Sequence, residues 1–187
     1  MERTLVLMKP DGVERALIGK VICKFEDAGL KVVALKLLKA KKETVERHYT
    51  EDEDWLLSVG RKTKQSYIEK GQKVDETERE IGLKVRSFLV KELTRGPILA
   101  MVLEGNSAAE IARKIGGGTE PRKADPSSIR GMYSIDSYEL ADNKKRSVRN
   151  IVHIAENAAI AEKEIKVWFS DSEICDYKRT DEEAMYG

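Results

Sequence analysis

Cysteine, proline, histidine and aromatic residues are all scarce here. The 187-residue chain has two cysteines, four prolines, two histidines and 6% aromatics. Cys23 and Cys175 stand far apart and match neither a disulfide framework nor a metal-ligand spacing, so a reducing, cytoplasmic setting is expected. An excess of one charge is missing too. The 34 basic and 33 acidic residues leave +1, so no global field draws the chain to nucleic acid or a membrane surface. No apolar run is long enough to span a bilayer, and no signal peptide is expected before the first strand. There is no repeat, no P-loop spacing around Gly116-Gly117-Gly118-Thr119, and no G-x-G-x-x-G after a strand. What is present is a 41% apolar, 36% charged chain, enough for one compact domain with its own core.

Periodicity predicts a buried strand over 4–8, stopped by Lys9-Pro10-Asp11-Gly12, then a helix over 13–27 closed by Ala28-Gly29. A β-rich run covers 30–38, and helical segments follow over 42–49 and 55–59. Residues 61–80 look like an inserted pair of surface helices around Gly71. An amphipathic helix covers 81–93, a second apolar strand 97–103 and a short helix 107–115. Residues 119–148 read as mostly irregular. The last strand ends at His153, the last helix runs from about 156 to Trp168-Phe169, and 170–187 form an acidic-leaning tail. About four strands among these helices predict an α+β sandwich of βαββαβ type, with helices on one face of an antiparallel sheet.

His153 ends an apolar run just before a helix. A strand-to-helix junction exposes a side chain at a sheet rim beside unpaired N–H groups, so an imidazole there is placed to attack a phosphate; the plainer reading is a surface or packing histidine. Lys9, at the tip of the first strand, reads as a phosphate contact or a solvated turn lysine. Arg113, Thr119 and Arg130 flank or punctuate the irregular stretch, where guanidinium forks match phosphate oxygens or serve solubility. Glu164 lies eleven residues after His153 and borders the apolar face of the last helix. A carboxylate there fixes an imidazole tautomer, or merely pairs with Lys163 or Lys166. Asn150 and His48-Tyr49 remain ambiguous between structure and ligand contact.

The order of these pieces resembles the nucleoside diphosphate kinase family. The resemblance starts at Thr4-Leu-Val-Leu-Met-Lys9-Pro-Asp-Gly12-Val and continues through His48-Tyr49, Gly96-Pro-Ile-Leu-Ala-Met-Val and Glu104-Gly105-Asn106. It then takes in Arg113, Gly116 and Thr119-Glu-Pro, Ser128-Ile-Arg130-Gly131, Arg149-Asn150-Ile-Val-His153 and Glu164 to Trp168-Phe169, all in family order over residues 3–169. It implies a ferredoxin-like fold and transfer of the γ-phosphate of a nucleoside triphosphate to a nucleoside diphosphate. The route implied is ping-pong through a phosphohistidine, with Mg²⁺ on the phosphates. By the same resemblance His153 is the nucleophile and Glu164 its orienting carboxylate. Lys9, Arg113, Thr119 and Arg130 grip phosphates, Asn150 and Lys9 contact the ribose or transferring group, and Tyr49 lines the site. A cytoplasmic hexamer or tetramer is implied as well.

Departures mark a divergent, archaeal-type branch. Ile154-Ala155-Glu156 replaces the family's small-Ser-Asp run. The hydroxyl is lost at Ala155, and Glu156 keeps an acid within reach of a metal's water shell. Met132 replaces an acid after Arg130-Gly131. An insertion near 58–84 falls where the family's base-stacking phenylalanine lies, so Leu57 or an inserted residue is expected to cover the base, and a second insertion near 138–146 precedes Arg149. The alternatives are a weakly active or inactive nucleotide-binding regulatory protein on the same scaffold, and a ferredoxin-like RNA-binding module, which the aliphatic strands and near-zero net charge disfavour.

Overall fold

The computed structural model describes residues 1–69 and 71–187. In chain order the elements are β1 (Glu2–Met8), α1 (Pro10–Glu14), α2 (Ile18–Asp27), β2 (Lys31–Lys39), α3 (Lys42–His48), α4 (Glu53–Glu69) and α5 (Glu78–Thr94). Then come β3 (Pro97–Gly105), α6 (Ala108–Gly116), α7 (Ile129–Tyr133), α8 (Tyr138–Asn143), β4 (Val152–Ile154), α9 (Ala158–Trp168) and α10 (Glu182–Tyr186). The sheet runs β2-β3-β1-β4, with every pairing antiparallel. This is the expected ferredoxin-like arrangement.

β1 and β3 form the centre because each carries an unbroken apolar run, Leu5–Met8 and Ile98–Leu103. Such strands have no face to give to water and must be covered on both sides. The helices accordingly occupy both faces, which corrects the one-face expectation. Leu5 and Leu7 of β1 pack with Val45, Val90, Leu93, Ala161 and Trp168 on the side of α3, α5 and α9. Val6 and Met8 pack with Val21, Phe25, Ala108 and Ala112 on the side of α2 and α6.

Three further expectations change. The helix over 13–27 is broken into α1 and α2 at Ala16, whose φ of 54° no α-helix accommodates. The stretch 119–148 carries two short helices, α7 and α8, whose N-caps Ser128 and Ser137 accept backbone N–H bonds from Gly131 and Leu140. The inserted surface pair is instead two 17-residue helices, α4 and α5, that absorb the shorter predicted segments. Their crossing is close because each puts a glycine against the other's backbone. A Cβ on Gly60 would lie 1.7 Å from the Glu78 carbonyl oxygen, and one on Gly82 would lie 2.3 Å from that of Leu56.

The tail folds back along the edge strand. Cys175 N–H donates to Val33 O at 2.7 Å, Tyr177 Oη donates to Val32 O at 3.0 Å, and Lys31 pairs with Glu104 and Glu182. No helix among the described residues is long and apolar enough to cross a membrane.

Gly60→Ala is expected to destabilise the protein by about 1–3 kcal/mol, because the added methyl must push two packed backbones apart. A urea midpoint that does not fall would contradict this view of the hairpin.

Candidate active site

Lys9, Asn150 and His153 meet because of one strained turn. Val152 N–H donates back to Asn150 O at 2.7 Å, across Ile151 at φ 68°. A β-branched residue in that region costs on the order of 1–3 kcal/mol, so the surroundings must enforce it. They do so from the other end of the chain. Asp11 Oδ2 accepts Ile151 N–H at 3.1 Å, and Ile151 O accepts Lys9 N–H at 2.7 Å. Asp11, read from sequence as part of a stop signal, is therefore a buried clamp.

The turn brings Asn150 under Lys9. Lys9 Nζ donates to Asn150 Oδ1 at 2.7 Å, and Asn150 Nδ2 donates to Thr119 O at 2.9 Å. Lys9 is buried, not solvated, and burial lowers its pKa to about 8. Arg130 is buried as well. Its guanidinium donates to Gly117 O and to Val152 O, while its Nε has no partner. Burial, then the nearby charge of Arg113, lowers Arg130 to about 10. These cations face neutral amides and carbonyls where acids would have neutralised them, and that is the field an anion needs.

His153 projects from β4, with Leu7 of β1 opposite it in register. Its Nε2 lies 3.0 Å from Glu164 Oε2; the two side chains are 19% and 14% exposed. Burial, then Lys9, Arg130 and Arg113, lowers the imidazole to about 3, so it is neutral. Burial raises Glu164 to about 7, with Glu156 adding to the shift against an opposing His48. Once ionised, the carboxylate only accepts, so it takes the proton on Nε2 and leaves the Nδ1 lone pair free.

His48 and Trp168 back this pair and were not assigned a role from the sequence. The Trp168 indole donates to His48 Nδ1 at 3.2 Å, and the His48 ring stands edge-on to His153 with centroids 4.5 Å apart. Burial, then His153, lowers His48 to about 3. Tyr49 is buried beside them, 6.1 Å from His153 between ring centroids, and burial pushes its phenol up. His48, His153 and Glu164 have ligand atoms within 4.8 Å of one another. However, Nδ1 of His48 and Nε2 of His153 are already committed to Trp168 and Glu164. A metal would have to displace those bonds.

A cleft of about 500 Å³ opens from this centre. Lys9, Tyr49, Arg113, Thr119, Arg130, Asn150 and His153 line it, so the expected residues converge, with Glu164 behind His153. Two expectations change. Leu57 is not among the lining residues; Trp55, Val59, Tyr67 and Phe88 of the α4–α5 hairpin are. Glu156 is exposed and also absent from the lining. Ile154 borders the cleft without blocking it. It is 5% exposed, and its Cδ1 occupies the space that a side chain on Gly116 would need.

A free imidazole nitrogen among buried cations, on a ferredoxin-like sheet, defines a phosphotransferase. The family model for nucleoside diphosphate kinase matches residues 2–56 and 75–174, leaving out only the hairpin's outer part and the termini. A nucleoside diphosphate kinase of Pyrobaculum aerophilum is 46% identical over 93% of this chain and 98% of its own. One of Borreliella burgdorferi is 36% identical over 97% and 95%. A crystal structure of an NDP kinase from Pyrobaculum aerophilum superposes with a TM-score of 0.90 at 44% identity, covering 94% of this chain and 99% of that one. A Borrelia burgdorferi nucleoside diphosphate kinase described as a transition-state mimic with bound vanadate and ADP gives 0.78 at 35%, covering 97% and 94%. The chain belongs to the nucleoside diphosphate kinase family. Its activity is transfer of a phosphate from a nucleoside triphosphate to a nucleoside diphosphate.

The raised pKa of Glu164 has a stability consequence. Between its ordinary value of 4.5 and about 7 the folded state holds a proton that the unfolded state has lost, so stability falls as pH rises through that window. Glu164→Gln keeps an acceptor for His153 and removes the buried charge. It is expected to be more stable than the parent at pH 8 by on the order of 2 kcal/mol, with little gain at pH 4.5. Equal midpoints for the two proteins at pH 8 would show that the carboxylate is not strained.

Proposed function

We propose that the reaction runs through a phosphohistidine on His153. Nδ1 of the neutral imidazole attacks the terminal phosphorus in line, the P–O bond to the bridging oxygen breaks, and the nucleoside diphosphate leaves with that electron pair. A second nucleoside diphosphate then attacks the phosphorus and regenerates the imidazole. Glu164 holds the proton on Nε2 throughout and offsets the charge that develops on the ring. Lys9 and Arg130, with Arg113 and Thr119 at the rim, grip the phosphates. Asn150 steadies Lys9 and reaches the ribose or the transferring group, and Tyr49 walls the nucleophile. The observation that carries this reading is the 3.0 Å contact of Glu164 with Nε2, which leaves Nδ1 to a substrate in a site where the charges of Lys9, Arg130 and Arg113 act on the ring. Phosphoryl transfer asks a protein mainly for such alignment and charge.

A divalent cation fits this site only as a passenger on the nucleotide, since the cleft lining offers no carboxylate cage for one. Mg²⁺ on the phosphate oxygens would neutralise charge on the leaving group, and Glu156, although outside the cleft lining, is the acid proposed for its water shell. Phe88 and Trp55 of the cleft wall take the place of Leu57 as the apolar cover for the base. A cytoplasmic homo-oligomer, hexamer or tetramer, accompanies the activity. Leu35 and Leu37 on edge strand β2 and the 96%-exposed Ile135 are the apolar surfaces that such assembly would cover.

Incubation with γ-labelled ATP is expected to leave an acid-labile phosphate on the protein, which passes to GDP on addition. His153→Ala should lose both signals, and Arg130→Ala should slow labelling by about 10²-fold or more, the usual weight of a preorganised charge on a transferring group. A His153→Ala protein that still labels would end the assignment. Sedimentation should report a tetramer or hexamer, and a monomer at micromolar concentration would remove the oligomer from the proposal.

A further inference from the structure

Two imidazoles meet one carboxylate behind the cleft. Glu164 Oε2 lies 3.0 Å from Nε2 of His153, and Glu164 Oε1 lies 3.9 Å from Nδ1 of His48. The two rings also pack on each other, at 87° with centroids 4.5 Å apart. The side chain of His48, the last residue of α3, is fully buried, so no bulk water separates it from the acid.

A single indole keeps His48 from donating to Glu164. Glu164 and Trp168 are four residues apart on α9, so one face of that helix presents both to α3. An indole N–H can only donate, and that of Trp168 donates to His48 Nδ1 at 3.2 Å. A ring nitrogen that accepts carries no proton. Burial, then His153, holds His48 neutral, so its one proton sits on Nε2. That nitrogen is buried with no partner among the described residues, an unfavourable place for a donor. Without the indole, the ring gains by moving its proton to Nδ1, which faces a carboxylate oxygen. To accept it, Glu164 has to close by about 1 Å on the side of Oε1 and divide its charge between two donors, which weakens its hold on His153.

We propose that Trp168 and His48 are positioning residues for phosphoryl transfer: the indole N–H fixes the His48 proton on Nε2 and so reserves the Glu164 carboxylate for the ring of His153. Both act through Glu164. The lock matters to catalysis only under the phosphohistidine reading, on which it rests, but the tautomers are read without turnover.

The test is ¹⁵N NMR of the imidazoles at pH 8, where Glu164 is ionised, together with single-turnover labelling by γ-labelled ATP. The chain has two histidines, and His153→Ala leaves the signals of His48 alone for assignment. In the parent, both rings are expected to carry the proton on Nε2. Trp168→Phe should move the His48 proton to Nδ1. It should also slow labelling about three- to tenfold, the effect of weakening one hydrogen bond, with the half-saturating ATP concentration unchanged. His48→Phe in that background removes the competing ring, so the double variant Trp168→Phe/His48→Phe should label faster than Trp168→Phe alone. Residues that merely pack would not recover activity on a second substitution in the same cluster. A His48 proton on Nδ1 in the parent overturns the proposal, whether or not the variants fold. So does an unchanged His48 tautomer in Trp168→Phe, or a double variant no faster than the single one. Failure of the parent to label, with both tautomers as expected, would strike the phosphohistidine reading and leave the tautomer lock standing.

Discussion

Much of this molecule is organised around the choice of which nitrogen of one imidazole is left bare. An unassisted histidine exposes both nitrogens to exchange of tautomers and to protonation, and a nucleophile needs neither. Here the carboxylate of Glu164, on α9, is placed to fix the proton on Nε2, while burial, then Lys9, Arg130 and Arg113, makes a second proton unfavourable. The sheet supplies the distance between those groups. His153 leaves β4, Lys9 follows β1, and α9 packs on the face of the sheet that Leu7 and His153 share. A shift of β4 by one residue would turn His153 to the opposite face and dismantle the arrangement.

The site is held in a state that its own stability disfavours. A buried lysine, a buried arginine with an orphan Nε, a neutral histidine pair, a carboxylate pushed to about 7 and a β-branched residue at positive φ all gather around the site at β4. Each is unfavourable alone. The apolar stretches of β1 and β3, Leu5–Met8 and Ile98–Leu103, with helices on both faces, provide the burial that offsets them. Under the proposed function an incoming triphosphate would relieve the strain, because it would give the cations a partner that desolvation denied them. Binding and activation thus draw on the same electrostatic imbalance.

Legibility followed the range of the interactions. β1 and β3 were plain because an unbroken apolar run can only be a buried strand or helix core, and flanking Pro and Gly fixed the choice. Glu164 was recognisable as a boundary residue because helical spacing placed it beside Ile160 and Trp168. Asp11 and His48 escaped because their roles depend on partners 140 and 120 residues away. Leu57 falls outside the cleft lining because α4 is one continuous helix of 17 residues, and helical phase gives the cleft side to Trp55, Val59 and Tyr67 instead. The exposed reading of Lys9 failed for a similar reason: whether a strand-tip lysine meets water depends on what folds over it.

The amino-acid order alone was enough for the family and for the strand and helix types near the site, and it singled out His153 and its neighbouring cations as candidates, since these rest on local periodicity and on motifs a few residues long. The folded chain decided everything that needs two distant segments at a fixed separation. That covers which imidazole nitrogen is bare, how far burial moves each pKa, the left-handed turn at Ile151, and the meeting of two imidazoles at one carboxylate. Distances and desolvation are properties of the packed state, and one-dimensional spacing carries neither.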